Sequence, residues 1–188
     1  MNQSPAMAER MRQTKNRILQ TAKDIFLEQG CRRTTIRQIV ERSGITSGSI
    51  YNIFSSKEEI FNTLAADVLE NCIRMVQKEA GGESPLYQYA AVLLVEMEAI
   101  AHDERVRELY QEAYTSPVMF EEVVKRHLRL EKEFFGESYG KLFKEDEFLI
   151  RNYMVKGAMG GFINSFYFGN KPPVEEAEFL LLSLTFRV

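Results

Sequence analysis

TTIRQIVERSGITSGSIYNIFSSKEEIF, residues 34–61, is the stretch on which the reading of this chain turns. Ile36, Ile39 and Val40 recur at helical spacing, and Thr34 or Thr35 can cap the segment they belong to. Thr35 with Gln38 has the spacing of a capping box. Ser43-Gly44 reads as a turn, and Ile45 through Phe54 is expected as a further short helix. Its middle holds Thr46, Ser47, Gly48, Ser49 and Asn52, which are poor helix formers. Ile45, Ile50 and Phe54 lie at spacings that can turn inward against Ile36, Ile39 and Val40, leaving Tyr51 and Asn52 outward. Ser56 with Glu59 is a second capping-box spacing, opening a long helix through Ile60, Leu64 and Val68 to about Lys78.

Two short helices joined by a glycine turn, the second small and polar on its outside, form the pattern of a helix-turn-helix DNA reader. A helix entering a major groove about 12 Å wide must bring its N-terminal end close to base edges and phosphates. Thr46, Ser47, Gly48 and Ser49 keep that end slim, and their hydroxyls and backbone N–H groups can donate to phosphate oxygens. A capped helical hairpin with no nucleic-acid role fits the same residues, because Ser, Thr and Gly also mark ordinary helix starts.

Working outward, Ile18, Ala22, Ile25, Phe26 and Gln29 mark a preceding helix that ends at Gly30. AGGESP, residues 80–85, is a connector. Beyond it, helical patterns cover about 85–101, 103–115, 118–135, 145–169 and 173–187. They break at His102-Asp103, at Ser116-Pro117, from Gly136 to Gly140 and from Gly169 to Pro173. No strand-like alternation, internal repeat or low-complexity tract stands out. The expected fold is all-α with about nine helices: a helix-turn-helix domain over residues 1–55 and a larger helical domain over 56–188.

Composition is that of a soluble globular protein, 45% hydrophobic and 27% charged. The net charge of −3 hides an asymmetry. Residues 1–60 hold ten Lys/Arg against six Asp/Glu, and residues 61–188 hold fourteen against twenty-one. A polyanion would therefore meet the N-terminal part, although random scatter of charge accounts for the same numbers. Cys31 and Cys72 have neither metal nor redox spacing, which suits a reducing cytosol. MNQSPAMAERMRQTK lacks the apolar run of a signal peptide, and FLLLSLTF (179–186) is too short to span a bilayer. The expectation is a cytoplasmic protein that does not enter a membrane. No Gly-x-Ser-x-Gly, His-Glu-x-x-His or phosphate loop appears, so no catalytic residue, cofactor or metal is assigned and an enzyme is not expected. His102 and His127 have no zinc-like partner spacing.

At residues 34–61 the chain resembles the DNA-binding segment of the tetracycline-repressor (TetR) family of bacterial regulators. The resemblance rests on the ordered set Thr35, Arg37, Ile39, Gly44, Ile45, Gly48, Tyr51, Phe54, Lys57 and Glu58. NRILQTAKDIFLEQGCRRTT before it matches the family's first helix and its closing Gly-x-x-x-Thr-Thr. The resemblance implies that Thr35 and Arg37 reach phosphates, or a base edge in the case of Arg37. Ser47, Gly48 and Ser49 would form the base-reading end, with Thr46 beside them at the DNA. Tyr51 and Asn52 would touch the sugar-phosphate wall, and Lys57 would neutralise a phosphate. Arg12, Lys15 and Arg17 either add charge from the first helix or form a plain solvated face. Ile53 stands where the family often has histidine, so one contact differs there.

For the body, Met97, Tyr110, Tyr114, Met119, His127, Tyr153, Met154 and Phe162 are candidates to line a pocket for a small apolar or aromatic inducer, with Glu96 or Asn164 adding polarity. A Met and aromatic set at helical spacing also describes plain core. Gly157, Gly161 and Ser165 share one helix face where another helix can approach closely. VEEAEFLLLSLTF (174–186) is apolar over most of its circumference after an acidic first turn, so it must be covered. The family's dimers join through their last two helices, which makes Gly157, Gly161, Ser165, Phe179, Leu182 and Phe186 the expected homodimer interface; internal packing is the other account. The expected function is a homodimeric repressor on a near-palindromic double-stranded operator, released when an inducer tilts the fourth helices. The alternative is a DNA-binding dimer with no small ligand, controlled by a partner protein.

Overall fold

The computed structural model describes residues 5–139, 145–169 and 172–186. Among these the chain forms nine α-helices and no strands: α1 (Pro5–Gln29), α2 (Ile36–Ser43), α3 (Ser47–Tyr51), α4 (Lys57–Ala80), α5 (Pro85–His102), α6 (Glu104–Thr115), α7 (Pro117–Tyr139), α8 (Glu145–Ser165) and α9 (Val174–Phe186). The chain divides into two compact units, Met1–Asp67 and Val68–Val188. The smaller unit therefore takes in the first turns of α4, which the sequence places with the larger body.

In the smaller unit, Ile18, Leu19, Ala22, Ile25 and Phe26 form the buried stripe of α1. Gly30 stops the helix at φ 81°, a backbone conformation that disfavours any residue with a Cβ, and its N–H caps the Phe26 carbonyl at 2.8 Å. Thr34 turns inward and its hydroxyl donates to the Gly30 carbonyl at 2.7 Å, so Thr35 is the cap of α2. The capping box is complete: Gln38 N–H donates to Thr35 Oγ1 at 3.2 Å, and Thr35 N–H donates to Gln38 Oε1 at 2.8 Å. Gly44, at φ 67°, closes α2 on the Val40 carbonyl.

Two local expectations are corrected. The third helix was expected from Ile45 to Phe54, but α3 spans only Ser47–Tyr51. Thr46 takes extended backbone as its N-cap and accepts from Ser49 N–H, which leaves Ile45 in the turn. Ile53 N–H then donates to the Ile50 carbonyl in a tight turn that brings Phe54 inward. The second capping box is only half formed. Ser56 Oγ accepts from Glu59 N–H at 3.1 Å, but the Glu59 carboxylate reaches past Ser56 to the N–H and hydroxyl of Ser55, both at 2.6 Å. Ile39, Ile50, Phe54, Ile60 and the tilted pair Phe26–Phe61, 5.9 Å between ring centres, complete this core.

In the larger unit α5 is central, touching α6, α7, α8 and α9. Ser84 caps it ahead of Pro85, whose missing N–H costs nothing at a first helical position. Asp103 closes α5 and opens α6, its carboxylate accepting from Arg105 and Val106 N–H at 2.9 and 3.2 Å. The apolar core has two parts. One is built on Met97, Ile100, Val155, Met159, Phe162, Ile163 and Leu181. The other is built on Leu69, Val76, Tyr89, Val92, Leu93 and Leu130. α7 is kinked at Gly136, φ 51°, as its glycine break predicts; the rest of that break lies in part outside the described residues. α8 ends at Ser165 rather than near 169, where Tyr167 N–H turns back onto the Asn164 carbonyl. No helix of the described residues is long and apolar enough to cross a membrane.

Candidate functional site

Around α3 the residues sort by face. Ile50 and Phe54 are buried, while Thr46, Ser47, Gly48, Tyr51 and Asn52 are exposed and Ser49 is half-buried. Thr35 and Arg37 are exposed as well. The Thr46 and Ser49 hydroxyls lie 2.9 Å apart, so Thr46 is partly engaged in its own cap. A Cβ built on Gly48 would meet nothing within 4 Å. Nothing inside the unit therefore calls for glycine at 48. Arg37 is 86% exposed and its Nε donates to Glu41 Oε1 at 2.7 Å, a surface pair that an incoming phosphate can displace. Burial is too slight there to hold the pair, and the Glu41 hydrogen bond raises the already high Arg37 pKa.

Lys57, expected to neutralise a phosphate, has partners inside the unit. Its ammonium donates to the main-chain carbonyls of Cys31 at 2.7 Å and Thr34 at 2.9 Å, pinning the loop between α1 and α2 from half-buried surroundings. Two of its three donors are thus engaged before any phosphate arrives. Arg42, unremarked in the sequence, forms a two-pronged pair with Glu28 at 2.5 and 2.7 Å, joining α2 to α1.

In the larger unit Met97, Met119, His127 and Phe162 are buried, and Tyr110 and Tyr114 pack on the same core. Tyr153 and Met154 are not buried with them; both lie on the exposed face of α8, the Tyr153 ring 6.2 Å from that of Phe120. The polar heart of this region is Glu96. Tyr110 hydroxyl donates to its Oε1 at 2.9 Å, while Lys156 Nζ and His127 Nε2 lie 3.3 and 3.4 Å from Oε2. Burial alone raises a carboxyl pKa, but the Lys156 and His127 neighbours and the Tyr110 hydrogen bond hold Glu96 well below the usual range. Burial lowers the pKa of Lys156, with Glu96 opposing, and burial together with Lys156 lowers that of His127. A second buried set joins Tyr89 and Asn152 to Glu131 at 2.6 and 2.8 Å. Sequence reasoning missed Lys156. Its signal is register, since Asn152, Lys156, Met159 and Ile163 share the inward face of α8.

The expected dimer residues also divide. Gly157, Gly161 and Phe179 are exposed, and Ser165 is half-buried with its hydroxyl on the Phe162 carbonyl. Leu182 and Phe186 instead pack inward on the second core, Phe186 edge-on to Tyr89 at 6.1 Å between ring centres. The outer face of α9 carries Phe179, Leu180 and Leu184, and that of α8 carries Ile150, Tyr153 and Met154 beside the glycines.

A short exposed helix behind a capped second helix and a glycine turn defines a helix-turn-helix protein. Residues 18–64 match the family model described as bacterial regulatory proteins, tetR family. The HTH-type transcriptional repressor KstR2 of Mycolicibacterium smegmatis is 31% identical over 99 residues, 52% of this chain and 48% of that protein. An uncharacterized HTH-type transcriptional regulator of Bacillus subtilis, YfiR, is 31% identical over 137 residues, 68% of this chain and 62% of that protein. The fold matches the crystal structure of Thermus thermophilus FadR, a TetR-family transcriptional repressor in complex with lauroyl-CoA, at a TM-score of 0.68 and 16% identity over 91% of this chain and 93% of that one. The matches thus span about half to three fifths of the curated relatives' length. The chain belongs to the TetR family of bacterial regulatory proteins, a family of transcriptional regulators rather than enzymes.

Proposed function

We propose that this protein is a transcriptional repressor that binds a near-palindromic operator as a homodimer and leaves it when a small molecule enters the helical body. The observation that carries the DNA-binding reading is the exposed end of α3. It is slim and hydroxyl-bearing, with a glycine at 48 that no internal packing requires. Thr35, Arg37, Thr46, Ser47, Gly48, Ser49, Tyr51 and Asn52 are its contact set. Lys57 acts mainly by holding the loop behind it.

Two further features support the rest of the reading. The outer faces of α8 and α9, which pack on each other, expose Ile150, Met154, Phe179, Leu180 and Leu184 beside Gly157 and Gly161. An apolar surface of this kind is covered by a second copy in a dimer that mirrors the two-fold symmetry of its operator. The buried Glu96, Lys156 and His127 put a charged cluster amid the aromatic residues of the body, where a ligand can be read. α4 supplies residues to both units and is the element through which occupancy of the body reaches the reading end. Such a regulator works in the cytoplasm.

Fluorescence anisotropy against the chain's own upstream DNA, over a salt series, tests this. Binding should exceed that to random DNA and weaken steeply with salt, log K falling by about 0.9 per phosphate neutralised for each tenfold rise in salt. Equal binding to both DNAs at every salt concentration overturns the reading for that site.

A further inference from the structure

The donors and acceptors around Glu96 do not match. Lys156 is 1% exposed, and its one oxygen partner among the described residues is Glu96 Oε2 at 3.3 Å. It also donates to the thioether of Met159 at 3.6 Å. The Tyr114 hydroxyl donates to that same sulfur at 3.1 Å. Glu96 is already shared with Tyr110 and His127. His127 Nδ1, on a ring 2% exposed, has no hydrogen-bond partner among the described residues. An ammonium carries three donors, and burying them short of acceptors is costly. A thioether is a weak acceptor on a long, adaptable side chain. Two strong donors, a cation and a phenol, are therefore aimed at one weak and movable acceptor.

We infer that Met159 Sδ holds the place of an oxygen, and that the effector is a small aromatic or apolar carboxylate whose oxygens take the donors of Lys156 and Tyr114 when Met159 swings aside. This rests on the ligand-responsive reading above and adds to it the chemistry of the ligand. A carboxylate offers about four lone-pair sites, enough for both donors. A cationic ligand would meet the Lys156 ammonium, and the carboxylate of Glu96 is already engaged by three partners, which leaves the neutral His127 Nδ1 as a lone open acceptor among the described residues. Gly160 keeps room for the phenol: a Cβ there would stand 3.1 Å from Tyr114 Cδ1. The rest of the ligand meets aromatic surface. Tyr114 stacks edge-on to Phe120 at 5.4 Å, and Phe120 lies 6.2 Å from Tyr153, which is 42% exposed on α8. That row of rings leads from the buried donors to the outside of the body.

The test uses the full chain with phenylacetate and phenylbutyrate, each compared with its own primary amide by titration calorimetry. Wild type should bind a carboxylate at least about ten-fold more tightly than its amide, the scale set by a charge-assisted contact. Met159→Ala should tighten carboxylate binding further, since no side chain has to be displaced. The double variant Lys156→Met/Glu96→Gln removes both charges and strands neither; in it the preference should shrink below about two-fold. Equal binding of acid and amide by wild type overturns the inference, as does a preference that survives the double variant. Failure of both wild type and Met159→Ala to bind any probe overturns it too. The two readings separate in the DNA assay. A neutral compound that releases operator while acid and amide bind alike keeps ligand response and sinks the carboxylate site. Carboxylates that bind through Lys156 without loosening DNA keep the site and sink ligand response.

Discussion

Lys57 and Cys31 are joined by a 2.7 Å hydrogen bond from side-chain ammonium to main-chain carbonyl, across 26 positions of sequence. With the parallel bond to Thr34, this makes the first residue of α4 a clasp on the loop that introduces α2. Lys57→Met should lower stability by about 1.5–3 kcal/mol, the range for hydrogen bonds to a charged group. The salt slope of DNA binding should stay nearly unchanged. Arg37→Ala should behave oppositely, sparing stability and reducing the slope by about 1. Urea melts beside anisotropy over a salt series check both; a lower slope with normal stability in Lys57→Met would restore its phosphate role.

Gly48 separates folding from reading. A Cβ there meets open space, and no positive φ is involved, so Gly48→Ala should stabilise the protein by about 0.5 kcal/mol through helix propensity. The same methyl group sits at the exposed end of α3 and should weaken operator binding several-fold. Thermal melting and anisotropy on one preparation give both numbers, and unchanged DNA affinity would remove Gly48 from the contact set.

His127 sets a pH dependence. Its folded pKa lies below the usual 6.5 because burial and Lys156 disfavour the imidazolium, with Glu96 opposing. The unfolded chain therefore binds a proton first as pH falls. The stability this neutral ring contributes is complete above pH 6.5 and is lost progressively below it, with a slope of at most about 1.4 kcal/mol per pH unit. Glu96, whose folded pKa is depressed from 4.5, loses its contribution only at lower pH. Urea melts from pH 7 to pH 5 should show wild type losing stability and His127→Gln staying flatter. Parallel lines for the two proteins would exclude this role.

The two faces of α9 make a paired test of the proposed dimer. Phe179 is 70% exposed, so Phe179→Arg should leave the monomer folded and abolish dimerisation in sedimentation experiments. Phe186 packs edge-on to Tyr89, so Phe186→Ala should cost up to about 3 kcal/mol of stability. A Phe179→Arg protein that remains dimeric places the interface elsewhere.

What the residues disclosed depended on how local each signal was. The Thr35–Gln38 box and the Gly30 and Gly44 stops were legible because each is settled within four residues. The Ser56–Glu59 box was only half right, since a flexible carboxylate chose the neighbouring Ser55. α9 is apolar nearly all round, so periodicity gave no way to tell inward Leu182 and Phe186 from outward Leu180 and Leu184. α8 likewise has apolar residues on both faces, so periodicity did not show that Tyr153 and Met154 lie on its exposed side. Lys156 escaped notice because a lone lysine in a helix ordinarily reads as solvated; only its partner on another helix, Glu96, marks it as interior.

The chain's two cysteines fall on opposite sides of the division at Asp67 and Val68. Cys31 is buried beneath the Lys57 clasp, and Cys72 is half-buried in the body. The smaller unit therefore carries its own native clock. With a thiol reagent in excess, alkylation of buried Cys31 times the opening of that unit, and half-buried Cys72 gives a more accessible reference in the larger one. One sample, resolved by peptide mass, gives both rates without engineering, and shows whether DNA and the proposed effector change one rate or both.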